Sequence, residues 1–267
     1  MRFLPVVLMV VSAGVTQAGG SPAATAPPSA ARATPADTSH LLAAAPQPDG
    51  ETPAAASTAP PPRPFRAAYS ASYNGMAIAT VRTFKAEGEG YLLATRASNF
   101  LGSIGEEEVL TFADDGSVLS GSYSYQRAIF GNKRKELTTF DRDTGRVTNT
   151  YKKRTVEIPL QDALYAPLGY QLQLRRDLMA GHREFHYRVV SRGKIRDYRY
   201  TIKGAETLDT PLGKIATLVL ERERDTDERQ TFLWLAKNYD YLPVKLVHSE
   251  DGDTHTMLIE SYTSTSP

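Results

Sequence analysis

From Phe65 onward the chain alternates apolar and polar residues with a period of two. Phe65, Ala67, Tyr69, Ala71 and Tyr73 share one strand face, and Asn74-Gly75 supplies a tight hairpin turn. The texture recurs in "MAIATVRTFKA", "YLLATRAS", "EEEVLTFA", "SVLSGSYSYQRAI", "KELTTFDR" and "RVTNTYKK". Glu87-Gly88, Asp115-Gly116 and Asp143-Thr144-Gly145 punctuate this run. Six further strands follow: "REFHYRVVS", "IRDYRYTIKGAET", "IATLVLERER", "QTFLWLA", "LPVKLVHS" and "THTMLIESYT". Their turns fall at Arg192-Gly193, Pro211-Leu212-Gly213, Asp225-Thr226-Asp227 and Asp251-Gly252. Turn signals at such short intervals predict an antiparallel meander, not a βαβ alternation.

One segment departs from this pattern. In "DALYAPLGYQLQLRRDLMAGH", Leu164, Leu168, Leu172 and Met179 fall near helical spacing, with Leu178 beside them. The spacing predicts an amphipathic helix over 163–179, with Asp162 capping its start and Gly181 ending it. Pro167 marks either an irregular first turn or the start of the regular helix. The apolar stripe must be covered, and the meander is the only large surface available. The expected fold is therefore mainly antiparallel β, a curved sheet or open β-barrel wrapped around one amphipathic α-helix.

The first 64 residues have a different character. "MRFLPVVLMVVSAGVTQA" has one positive charge, a short apolar run and small residues at its end. That is the layout of a secretory signal peptide over 1–18, cleaved after Ala18. Its apolar run is shorter than the roughly 20 residues a spanning helix needs. Residues 19–64 hold eleven of the seventeen prolines and no aromatic residue, so they are expected to form a disordered spacer. The expected domains are thus signal 1–18, spacer 19–64 and one β-rich domain over 65–262, with the mature protein in the periplasm.

Composition removes several functions. With no cysteine, disulfides, thiolate metal sites, Cys nucleophiles and a lipoprotein anchor are excluded. A net charge of +1 gives no reason to expect a nucleic-acid partner. "LGSIGE" at 101–106 is not a G-x-S-x-G elbow, and no phosphate loop, dinucleotide fingerprint or zinc-protease signature is present. His182 and His186 lie too far apart on a strand to share one ion. His248 and His255 flank the Asp251-Gly252 turn, where a hairpin can bring the two imidazoles together as the chain's best metal candidate; exposed polar residues around a turn are the preferred reading. "EEE" at 106–108 reads as a solvated strand face, and "ERERDTDER" at 221–229 as a charged hairpin end. "GNKRKE" at 131–136 and "YKKR" at 151–154 can meet across a hairpin as a basic patch. Such a patch suits anionic lipid headgroups or a solubilised sheet edge. No catalytic residue, metal or cofactor is expected.

Four phrases carry a family resemblance: "FRAAYSASYNGMAIAT", "QDALYAPLGYQLQLRR", "GAETLDTPLGKIATLVLER" and "RQTFLWLAKNYDYLPVKL". In order and content they resemble the bacterial exported family known as domain of unknown function 3108, over about 65–262. More distantly, the sheet-plus-helix layout is similar to the Lol-type periplasmic lipoprotein carriers. The second resemblance implies an apolar or lipid-like ligand sheltered between sheet and helix. Residues placed to line such a site are Tyr69, Tyr73, Tyr123, Tyr125, Leu168, Leu172 and Trp234; simple core packing is the alternative for each. The partners open at this point are lipid or another envelope protein. The second class of function is a non-enzymatic scaffold or interaction module acting through an exposed strand edge. A hydrolase has the least support.

Overall fold

Strand alternation here produces one continuous sheet. The computed structural model describes residues 60–73, 76–223, 229–250 and 253–264, excluding the side chains of Tyr73 and Met76. The leader, nearly all of the spacer and the Asn74-Gly75, Asp225–Asp227 and Asp251-Gly252 turns lie outside the described residues. Before the helix run β1 (Phe65–Tyr73), β2 (Met76–Glu87), β3 (Gly90–Asn99), β4 (Gly102–Phe112), β5 (Val118–Ile129), β6 (Asn132–Asp141), β7 (Arg146–Tyr151), β8 (Arg154–Pro159) and the two-residue β9 (Leu164–Tyr165). The helix, α1, spans Gly169–Met179. After it come β10 (Phe185–Ser191), β11 (Lys194–Thr210), β12 (Gly213–Arg222), β13 (Arg229–Ala236), β14 (Leu242–Glu250) and β15 (Asp253–Ser264).

The spatial order is β8-β7-β6-β5-β4-β3-β2-β1-β15-β14-β13-β12-β11-β10-β9. Every pair is antiparallel except β9 with β10. The sheet is curved and does not close on itself through backbone bonds, since β8 and β9 are its two edges. Side chains bring the ends together instead. The β10–β11 turn reaches the inner face of β6 and β7, where Arg192 N–H donates to Glu136 (2.6 Å) and Gly193 N–H to Asn149 (2.7 Å).

The helix occupies the inside of this curve. It starts later than its apolar spacing suggests, because Leu164-Tyr165 pairs with β10 and Pro167 follows. Asp162 is exposed and is not its cap; Leu168 is the N-cap residue and offers no side-chain acceptor. The C-terminus follows expectation. Gly181 takes φ +86°, its N–H bonds Leu178, and His182 N–H bonds Asp177, a Schellman arrangement. Burial extends around the helix: Tyr170, Leu172, Leu174 and Leu178 are buried, and so are Arg175 and Arg176. The domain's contacts also begin before Phe65, because Arg63 pairs with Asp240 at 3.0 Å.

Candidate functional site

The start of the helix is completed by the sheet. Glu108 points inward from β4, and its Oε2 accepts the backbone N–H groups of Leu168 (3.0 Å) and Gly169 (2.6 Å). Ser120 of β5 donates its hydroxyl to Glu108 Oε1 at 2.7 Å and accepts Ala166 N–H at 2.9 Å. The carboxylate satisfies donors that a helix start leaves unpaired and meets the positive end of the helix dipole. Gly169 makes this approach possible. A Cβ there would run into Glu108 Oε1 and stand 2.7 Å from Ser120 Oγ.

Register then assembles a polar layer beside the cap. Arg82, Thr95, Glu106, Tyr125 and Glu136 lie opposite one another in turn across β2 to β6. The adjacent row runs Leu93, Glu108, Tyr123, Thr138 and Asn149. Arg82 donates to Gln171 on the helix at 2.8 Å, and Asn149 donates to Glu136 (2.9 Å) and Thr138 (2.7 Å). Burial dominates the electrostatics of the layer. It pushes the Glu106 carboxyl up to about 8, against the pull of the Tyr123 hydrogen bond and the Arg82 charge. It pushes Glu108 up to about 7, against its bonds to Ser120, Gly169 and Leu168. Burial also raises Tyr123 well above the usual phenol range, lowers Arg82, and brings Arg175 down to about 10.

Carboxyls that titrate near neutrality suit general acid–base work, so this layer is the first place to look for catalysis. Among the described residues, the hollow beside it is small. The space between α1 and the facing strands β13 and β14, lined by Arg82, Gln171, Leu233 and Leu235 among others, is about 20 Å³. That is about the space one water occupies. The layer therefore seats the helix and joins the two ends of the sheet.

Five of the residues expected to line an apolar site come together in this filled interior. Tyr69, Tyr123, Tyr125, Leu168 and Leu172 are all buried. Tyr73 lies in β1, with its side chain outside the described residues. Trp234 is not brought to them. Leu233 and Leu235 take the inner face of β13, so Trp234 turns outward and is half-buried. Its indole N–H donates to Glu206 at 2.6 Å, and Lys245 Nζ lies 4.3 Å from its ring centroid.

Several polar residues expected at the surface are inside. Glu106 and Glu108 are buried while Glu107 faces out and pairs with Arg96. Arg222 is buried with its guanidinium 3.4 Å from the Tyr198 ring centroid. His248 and His255 face each other across the β14–β15 pair and are buried as well. His248 Nδ1 lies 2.9 Å from the Thr231 hydroxyl, and Arg229 pairs with Glu250 at 2.5 Å. The signal for these positions was the alternation itself. Ile104, Glu106, Glu108 and Leu110 keep one phase, as do Leu242, Val244, Leu246 and His248. Among the described residues no three His, Cys, Asp or Glu side chains converge on a possible metal position. His182 pairs with Asp177 (3.6 Å) and His186 with Asp197 (2.6 Å).

Open space lies outside. On the outer face of β3 to β6, a trough of about 540 Å³ has a floor of small residues, Ser98, Ser103, Gly105, Ser124 and Ala128. Arg96, Lys133 and Lys135 stand around it, while Arg127 and Arg134 border it but keep the inner phase of Tyr125 and Glu136. A second hollow of about 490 Å³ joins Lys133, Arg134 and Lys135 to Lys152 and Lys153. The two basic phrases thus meet across the β6–β7–β8 hairpins, as their sequence positions suggested. Among the described residues no helix is long and apolar enough to cross a membrane.

The model for the family described as "Protein of unknown function (DUF3108)" matches residues 68–259. A search of curated proteins found no match. Among solved structures, a β-barrel-like protein of the domain of unknown function DUF1849 from Brucella abortus is similar at a TM-score of 0.52 and 9% identity. That match covers 76% of this chain and 98% of the other. A candidate lipoprotein from Parabacteroides distasonis ATCC 8503 is matched at a TM-score of 0.31 and 9% identity, over 77% of this chain and 98% of that one. The first likeness is one of fold alone, and the second is too distant to bear on the argument.

Proposed function

Because the chain belongs to the DUF3108 family, which has no assigned activity, we propose a function from the geometry: an exported, non-enzymatic binding module that presents its cationic trough to an anionic ligand. One contrast carries this reading. The space between helix and sheet is about 20 Å³, whereas the basic trough on the outer face of β3 to β6 is about 540 Å³. Lysine and arginine around a floor of small side chains suit phosphate or carboxylate groups, with Arg96 offering a forked donor. Glu107 already pairs with Arg96, so the ligand's charge falls mainly to Lys133, Lys135 and their neighbours. An apolar ligand between sheet and helix would require the helix to leave its Glu108 seat.

Export rests on the leader pattern of residues 1–18. Protein recovered from a periplasmic fraction should begin at Gly19, and an intact Met1 on cytoplasmic protein would remove this half of the reading. The binding half is tested by calorimetric titration of the mature chain with inorganic tripolyphosphate. Saturable binding that weakens with salt, and is lost in K133E/K135E, is the expected result. Equal binding by that variant, or none by the wild type, would overturn it.

A further inference from the structure

The hairpins of β1 to β8 have two ends, and the ends differ in charge. At one end the β3–β4 turn is Phe100-Leu101, the β5–β6 turn is Phe130-Gly131 and the β7–β8 turn is Lys152-Lys153. Segments 99–104, 127–135 and 151–154 hold seven lysines or arginines and no acidic residue. The opposite turns, in segments 86–90, 113–117 and 141–145, hold six acidic residues and one arginine. The exposed acids there are Glu87, Glu89, Asp114, Asp115, Asp141 and Asp143. Across β3 to β8 the strands therefore have a basic end and an acidic end, whereas Glu223, Glu250 and Asp253 stand at the ends of β12 to β15 on the basic side.

The basic end also carries the most exposed large apolar side chains. Phe100 is 85% exposed and Phe130 64% exposed, the two highest values among the described large apolar residues. Their turns are neighbours, because Gly102 pairs with Ile129 and Phe130 N–H donates to Leu101 C=O at 3.2 Å. Phe130 adopts φ 47°, a left-handed conformation that disfavours a bulky aromatic and that Asn would fill more easily. Phe130 is thus a water-exposed aromatic held in a disfavoured backbone conformation. It calls for a role at the surface.

We infer that this end of the protein docks on an anionic phospholipid bilayer, with Phe100 and Phe130 entering the interface and the surrounding lysines meeting headgroup phosphates. The inference rests on the anion-binding reading above and identifies the anion as part of a membrane surface. Aromatic rings at the headgroup level and lysines beside them are the residue types that anchor proteins to such an interface. The acidic turns at the far end of β2 to β7 are repelled by the same surface, which favours approach through the turns of β3 to β8. Docking needs no cavity and no movement of the helix.

The test uses the mature chain and vesicles of phosphatidylcholine and phosphatidylglycerol (3:1), read by co-sedimentation. Wild type should bind these vesicles and leave pure phosphatidylcholine unbound. F100S/F130N should fold at least as well, since Asn-Gly suits the β5–β6 turn, and should lose vesicle binding by about tenfold or more. The same variant should keep its affinity for tripolyphosphate. K133S and K135S should each lower vesicle binding roughly fivefold. The native chain lacks cysteine, so a polarity-sensitive dye can be placed at one site. On F100C it should shift to the blue with vesicles, and on D143C it should not. Wild-type vesicle affinity in F100S/F130N, or an equal shift at D143C, would overturn the docking geometry while leaving anion binding standing. Tripolyphosphate binding that survives K133E/K135E would count against the underlying reading instead.

Discussion

Replacing Glu106 with Gln should change how stability depends on pH. Glu106 lies on the inner face of β4, 2% exposed, between Arg82 and Tyr123. Its folded pKa, raised from 4.5 to about 8 chiefly by burial, means that the native state holds a proton the unfolded chain has released. The stability this contributes is complete below about 4.5 and declines as pH rises toward 8. At about 1.4 kcal/mol per pH unit, that interval caps the loss at about 5 kcal/mol. Glu108, raised to about 7, adds a slope of the same sign. His255, held low mainly by burial, adds the opposite slope below its unfolded pKa. Comparing E106Q with wild type cancels both, because the variant keeps them. Urea unfolding at pH 5, 6, 7 and 8 should show the variant gaining on wild type steadily, by on the order of 3 kcal/mol across the range. A difference between the two proteins that stays constant from pH 5 to 8 would refute the assignment of Glu106 as a protonated interior group.

Two other substitutions probe the frame. Gly169→Ala should cost about 2–4 kcal/mol, because the new Cβ displaces the Glu108 carboxylate from two backbone donors; urea unfolding that moves by less than about 1 kcal/mol would mean the cap tolerates the methyl. Trp234→Ala should cost only about 1–2 kcal/mol, since the indole is half-buried on the outer face with one hydrogen bond and one lysine over its ring. Its emission should be quenched by acrylamide, and a fully protected emission would place it in the core after all.

The fold was legible because one signal repeats. Period-two alternation and turn residues mark thirteen of the strands, and one stretch near Leu168 and Leu172 breaks the pattern as a helix must. The helix start was less legible because its cap comes from Glu108, sixty residues earlier in the chain. Local rules search for a cap within a few residues of the helix, and Asp162 fits them without being used. The interior charges were misread for a related reason. A carboxylate run such as Glu106-Glu107-Glu108 looks solvated by composition, yet strand geometry sends the first and third residues to the opposite face from the second. Trp234 follows the same geometry in reverse. Its neighbours Leu233 and Leu235 hold the inward phase, so the larger aromatic faces out.

The filled interior and the exposed rim bear on each other. A container for an apolar ligand keeps its helix loosely held, so that it can open. Here the helix is fixed at its start by Glu108, at its middle by Arg82 to Gln171, and near its end by Tyr187 donating to Asp177 at 2.6 Å. Arg175 adds a bond to the backbone oxygen of Asp240 at 2.9 Å, the residue that also holds Arg63. Contacts of this kind come from β2, β4, β10 and the β13–β14 connection, so releasing the helix would break polar bonds on several sides at once. Each such group, left unpaired in the interior, costs roughly 1–3 kcal/mol. A structure anchored this way serves better as a rigid support than as a lid. What it supports is the row of turns at the basic end, whose spacing is set by the register from β3 to β8. Rigid spacing is what two aromatic tips and a surrounding set of lysines need if they are to meet one flat surface together.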